Sequence, residues 1–221
     1  MSEKEEEIAL TKLIRKNRKS IEKDFNKNFE IQGKTLAILT GGLEHANFNS
    51  FKTVSVVWNL SIYLNLISFD LKVICKDLMF EEGVWQRKLY ARQAYLLIYE
   101  SMNGFLSLIG TSLKNAIDTF DDKEMYLENV RIIAARLNAF KKEYEQTIVT
   151  VRHTSIAHRD KDTLVQLKSI ESISWLKATE IVTKFDGIVR DLGQVCQLLM
   201  NRATDELYQD ETIPKARVTG T

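Results

Sequence analysis

A chain of 221 residues, 44% of them hydrophobic, is long enough to bury the core of one ordinary-to-large domain, and two small domains fit less well. Its formal net charge of +1 excludes a generally basic nucleic-acid coat but leaves room for a local patch. One proline and nine glycines leave few breakers, so long helices are the default. Cys75 and Cys196 stand far apart in apolar runs. With no CxxC pair or Cys/His cluster, they suggest neither a zinc site nor a redox motif and read as buried free thiols.

The first seven residues are acidic and lack the basic segment and apolar core of a signal peptide, so a cytoplasmic location is expected. Residues 5 to about 30 repeat Ile8, Leu10, Leu13, Ile14, Ile21 and Phe25 at helical spacing. The opposite face carries Lys12, Arg15, Lys16, Arg18, Lys19, Lys23 and Lys27. It is either an ordinary solvated face or a phosphate-tracking patch, because neutralising phosphates supplies most sequence-independent nucleic-acid affinity. Gly33 and Gly41-Gly42 predict short helix and loop up to residue 50.

Residues 51 to 80 are the most apolar stretch, with no charge from Thr53 to Phe69. A membrane span needs about 20 predominantly apolar residues. Asn59, Ser61, Asn65 and Ser68 interrupt this one, which makes a central core helix the better reading and no membrane partner the expectation. After a turn at Glu81-Glu82-Gly83, one helix is predicted from 84 to about 118, with Gly104 and Gly110 allowing a close neighbour or a slight bend. Asp118 to Asp122 signal a turn and helix start. The next helix keeps its period through Val130, Ile133, Leu137, Phe140, Tyr144 and Ile148, so Arg152 and His153 fall near its C-terminus. A helix C-terminus favours cations. Residues 160 to 172 read as a connector, Ser174 as an N-cap, and Trp175 to about residue 203 as a last long helix. The expected organisation is therefore all-α, an antiparallel bundle of four long helices with short extra ones. One domain covers 1–205, residues 1–50 are its N-terminal extension, and a disordered tail follows over 206–221.

The densest chemistry is Arg152-His153-Thr154-Ser155-Ile156-Ala157-His158-Arg159-Asp160, which holds two of the three histidines. Histidine is the residue poised to exchange a proton near neutral pH. On one continuous helix, Arg152 and His158 would lie roughly 120° apart and about 9 Å along the axis, too far to meet one small ligand. Either the helix breaks between them or a second copy supplies the missing partner. A break suits the β-branched run Thr147-Ile148-Val149-Thr150-Val151, a weak helix former. An ordinary helix end with an Arg and two His at its surface remains the alternative.

Arg152-His153-x4-His158 followed by Arg159-Asp160 resembles the signature of the HEPN superfamily. The Ala157-His158-Arg159-Asp160 ending looks like its abortive-infection and toxin–antitoxin branch. The resemblance covers the motif closely and the helical context of residues 50 to 205 loosely. It implies a homodimer whose paired motifs face each other across a cleft and cut RNA without metal or cofactor.

In such a reaction the RNA 2′-hydroxyl attacks the adjacent phosphate. A base, an acid and a positive charge on the phosphorane are needed, and one histidine contributes about 10²–10⁴-fold. Arg152 suits the phosphate because its fork donates two hydrogen bonds to phosphate oxygens. His158 is the acid or base, His153 a second donor or polar auxiliary, and Asp160 a support for His158. Lys12, Arg15, Lys16, Lys19 and Arg159 are the candidate RNA contacts, and an antitoxin protein is a possible partner. The alternatives are a non-catalytic helical dimer that binds RNA, nucleotide or a partner protein, and an accidental motif whose charges merely pair at the surface.

Overall fold

Residues 2–154 and 162–209 are described by a computed structural model of the chain. They form seven helices and, among the described residues, no strand, so the fold is all-α as expected. Helix α1 (Glu3–Phe48) begins with a reciprocal cap. The Glu5 backbone N–H donates to Ser2 Oγ at 3.4 Å, and the Ser2 N–H donates to Glu5 Oε2 at 2.7 Å. The loop expected between 33 and 50 does not form, and α1 runs unbroken for 46 residues. Gly42 shows why a glycine belongs inside this helix: a Cβ there would lie 2.5 Å from the Trp58 ring. Close approach to α2 offsets the helix propensity lost at that position.

Helix α2 (Lys52–Phe80) is long and apolar enough to cross a membrane by length and composition. In this structure α1, α3, α4 and α7 pack on it. Helix α3 (Val84–Leu108) ends earlier than its pattern predicts, because Ile109 and Gly110 interrupt it before α4 (Thr111–Ile117). Gly104 does admit a close neighbour: a Cβ there would meet the Tyr63 hydroxyl at 2.0 Å. Helix α5 (Lys123–Arg152) follows, then α6 (Thr163–Glu171) and α7 (Trp175–Gln209). Most of the expected connector is thus helix. The Asp162 carboxylate caps α6 by accepting from the backbone N–H groups of Leu164 (2.9 Å) and Val165 (3.3 Å). Ser174 caps α7 as its sequence position suggests, accepting from the Lys177 N–H at 3.2 Å. Helix α7 continues through residues 206–209, where a disordered tail was expected to begin. Residues 210–221 lie outside the described residues.

The contacts fix the directions of the helices. Ser68 of α2 donates to Asp186 of α7 at 2.6 Å, and Ser61, seven residues earlier, reaches Met200, fourteen residues later. Those helices are antiparallel. Arg202 to Asp122 and Tyr144 to Glu180 make α5 and α7 antiparallel in the same way. The three-residue turn at 81–83 folds α3 back along α2. Helices α2, α3, α5 and α7 therefore form an up-down-up-down bundle, and α1 lies outside it against α2. At the centre, Phe185 sits 5.7 Å from Phe105 and 5.3 Å from Phe140, centroid to centroid, and is fully buried. Cys196 is buried, Cys75 half-buried, and both are free thiols. Burial pushes the Cys75 thiol up to about 11 and the Cys196 thiol up to about 12.

Phe185→Ala removes the ring shared by three helices and is expected to cost about 3–5 kcal/mol; urea denaturation at neutral pH measures it. On the α5–α7 surface, Glu180 accepts from Lys177 (2.9 Å) and pairs with Lys184 (3.0 Å), and these hold its carboxyl down to about 2. An unfolded glutamate titrates at about 4.3. The depressed value means this stabilisation is present above the unfolded pKa and lost as pH falls through the folded one. Glu180→Gln should therefore be less stable than wild type at pH 7. The side chain is 43% exposed, so solvent screening keeps the gap below about 1 kcal/mol. The gap should close between about pH 4.3 and pH 2, and a gap that widens on acidification would refute the assignment.

Candidate functional site

The β-branched run before the motif does not break α5, which stays regular to Arg152. Directly after it, His153 and Thr154 form a π-type turn, and the His153 N–H is shared between the carbonyls of Val149 and Thr150. The regular helix thus ends within the motif.

Arg152 is gripped by two consecutive residues of α3. Its Nε and Nη2 donate to Glu100 Oε1 at 3.3 and 3.1 Å, and its guanidinium lies 4.4 Å from the centre of the Tyr99 ring. The Arg152 side chain is 21% exposed, against 55% for Glu100, so the carboxylate lies on the solvent side. Stacking fixes the guanidinium plane and Glu100 occupies one edge of the fork. His153 is exposed. His158, Arg159 and Asp160 lie outside the described residues, as does the whole of 155–161.

Both flanks of that segment are anchored. Thr154 Oγ1 donates to the Thr150 carbonyl at 2.8 Å and shares a 2.6 Å hydrogen bond with Ser169 of α6. At the far end of α6, Lys88 of α3 donates from Nζ to the carbonyls of Ile170 (3.2 Å), Glu171 (2.5 Å) and Ile173 (3.2 Å). Arg87 lies 4.3 Å over the Trp175 ring beside it. Helix C-termini leave carbonyls unpaired, and a lysine satisfies them while favouring the helix dipole.

Between α3, the end of α5, α6 and the start of α7 lies an open cleft of about 420 Å³. Tyr95, Val151 and Ile173 supply its apolar wall; Gln146, Thr147, Thr150, Ser169, Ser172, Ser174 and Lys177 supply the polar groups.

The basic face of α1 is resolved into two sets. Arg15 pairs with Glu82 at 3.3 Å, and Arg18 stacks 5.1 Å over Phe80. Lys12, Lys16, Lys19, Lys23 and Lys27 are exposed, and none has an ion pair or ring contact among the described residues. Helical spacing puts these five on one stripe opposite the face packed on α2. The start of α1 reaches the cleft's rim, where Ser174 Oγ donates to Glu7 Oε1 at 3.4 Å.

Glu100 and Tyr99 are absent from the sequence reading, which takes Thr147 and Thr150 only as part of a β-branched run and Ser174 only as an N-cap. Each is an unremarkable helix residue until the bundle brings it to the motif. Among the described residues no group of three or more His, Cys, Asp or Glu side chains is placed to hold a metal ion. Comparison with protein-family models, curated proteins and solved structures gives no match.

Lys88→Met keeps the stem and removes the charge. It takes the Lys88 donor from the Glu171 and Ile173 carbonyls, while Ile170 keeps the Ile173 N–H, at a cost of about 1–3 kcal/mol. Amide hydrogen exchange should accelerate in 163–173 ahead of the rest of the bundle; uniform acceleration would show that Lys88 acts globally instead.

Proposed function

We propose that the protein is a metal-independent endoribonuclease of the HEPN type, acting as a cytoplasmic homodimer in an abortive-infection or toxin–antitoxin setting. The observation that carries this reading is the state of Arg152: oriented by Tyr99 and Glu100, part-exposed, beside a polar cleft, at the first position of the Arg-His-x4-His sequence. The chemistry needs no group beyond these side chains. The 2′-oxygen attacks phosphorus as a base takes its proton. The bond to the 5′-oxygen breaks as an acid protonates that oxygen, leaving a 2′,3′-cyclic phosphate and a 5′-hydroxyl. Arg152 stabilises the phosphorane. His158 is the acid or base, and His153 or the partner copy's histidine takes the complementary role, with Asp160 supporting His158. Lys12, Lys16, Lys19 and Arg159 draw the RNA backbone, joined by Lys23 and Lys27; Arg15, held by Glu82, contributes less. An antitoxin protein would silence the enzyme by covering the cleft.

A second reading, a helical dimer that binds RNA without cutting it, is favoured by Glu100, which offsets the charge of Arg152.

The test is cleavage of total RNA in EDTA by wild type, His158→Ala and Arg152→Ala. Wild type should cut, and each variant should lose about 10²–10⁴-fold. Full activity in His158→Ala would sink the catalytic assignment. RNA binding without cutting by any of the three supports the second reading.

A further inference from the structure

Tyr95 and Tyr99 lie four residues apart on one face of α3, about 6 Å along its axis. Tyr99 carries the Arg152 guanidinium, and Tyr95 forms the wall of the cleft. On α5 the same step is made within two residues, because Val151 lines the cleft and Arg152 bonds to Glu100. A phosphate held by Arg152 therefore has the cleft's mouth one helical turn away, close enough for the nucleoside bonded to that phosphate to enter it.

The cleft's chemistry is that of a base and sugar rather than a phosphate. Phosphates are drawn by charge, whereas base edges and ribose are read by neutral donors and acceptors over an apolar surface. The lining is neutral apart from Lys177, and that ammonium is engaged by Glu180 at 2.9 Å. Thr147 and Thr150, three residues apart on α5, both line the cleft and are exposed. Thr150 Oγ1 accepts from Gln146 Nε2 at 3.2 Å, which leaves its own O–H to donate, and the Thr147 hydroxyl has no hydrogen bond among the described residues. A hydroxyl both donates and accepts, and an amide presents one group of each kind. The remaining walls are already tied down: Ser169 to Thr154, and Ser172 to the Ser169 carbonyl at 2.9 Å. A volume of about 420 Å³ suits one small ligand and excludes a duplex.

We propose that this cleft is a nucleoside subsite that takes the residue adjoining the phosphate held by Arg152. As a subsite of cleavage it rests on the ribonuclease reading; as a nucleotide-binding site it stands on the cleft alone.

The test titrates wild type, the double variant Thr147→Val/Thr150→Val, and Gln146→Leu with the four ribonucleoside 5′-monophosphates by NMR, with dinucleotide cleavage measured alongside. At least one monophosphate should bind wild type with a Kd of about 1 mM or tighter. The double variant should bind about tenfold more weakly, the scale of one or two hydrogen bonds, with KM for the dinucleotide raised about as much and kcat little changed. Thr→Val keeps the β-branched shape, and Gln146→Leu, which removes the exposed amide beside Thr150, should weaken binding in the same sense and gives an independent reading should the double variant fold poorly. If wild type binds none of the four, or if the variants bind as well as wild type, the subsite is overturned. If monophosphates bind through these hydroxyls while no RNA is cut, the ribonuclease reading fails and the subsite survives. If RNA is cut with KM and monophosphate affinity untouched by either variant, the subsite fails and the ribonuclease survives.

Discussion

The constraint on which the structure depends is the burial of α2. From Thr53 to Phe69 it carries no charge, and its apolar residues point in every direction around the helix axis. A helix of this kind must be covered over most of its circumference, and here only a stripe through Asn59, Leu66 and Val73 stays exposed. Four helices do this: α1 on one side, α7 on another, α3 folded back by the short turn, and α4 at its beginning. Some of the few polar groups on α2 are satisfied within that shell, while the buried Asn65 Oδ1 has no hydrogen-bond partner among the described residues. Ser61 donates to the Val57 carbonyl at 2.8 Å, and Ser68 and Lys72 meet at Asp186 of α7. This polar contact between α2 and α7 sets their register, because one helical turn of slip would leave Asp186 part-buried without its partners.

Once α2 is enclosed, α3 becomes the element that organises the candidate site. One of its faces belongs to the core through Ala91, Ala94, Ile98, Met102 and Phe105, all buried. The flank beside that face offers, in order, Lys88 to the end of α6, the buried Tyr95 to the wall of the cleft, and Tyr99-Glu100 to Arg152. The residues that hold the motif are thus attached to a helix that the core has already fixed. A site carried on packed helices keeps its geometry better than one on loops.

The helical pattern was legible because apolar period is a property of each segment alone. The bundle followed from four such segments with short connections, and Ser174 was readable as a cap because capping is a local hydrogen bond. Gly33, Gly41 and Gly42 read as loop, yet α1 passes through all three, and at Gly42 the reason is the Trp58 ring on another helix. Gly110 read as a tolerated bend and instead separates α3 from α4. Residues 163–171 read as connector, although their helix needs only the Asp162 cap and the Lys88 contact to stand. Gly33 and Gly41 meet nothing within 4 Å and the helix simply passes through them, whereas at Gly42 and at the end of α6 a tertiary contact overrides local preference. The same limit applies to the site. Arg152 was visible as a type of residue in a spaced pattern, while Glu100 lies 52 residues away and no local signal links the two.

The Arg152–Glu100 contact also decides how Arg152 can act. A guanidinium has five N–H donors on a planar fork, and a carboxylate on the Nε–Nη2 edge uses two of them. What remains among the described contacts is the end formed by Nη1 and Nη2, held in plane by Tyr99. A phosphate would meet that end with two donors already oriented, so little side-chain entropy is left to lose on binding. The same carboxylate weakens the attraction, since a negative charge 3.1 Å from Nη2 opposes the approach of another anion. Orientation is gained and net charge given up. Such a site discriminates by geometry more than by affinity, and long-range attraction has to come from elsewhere. On the proposed reading, the five lysines along α1 have the sign and the exposure to supply it.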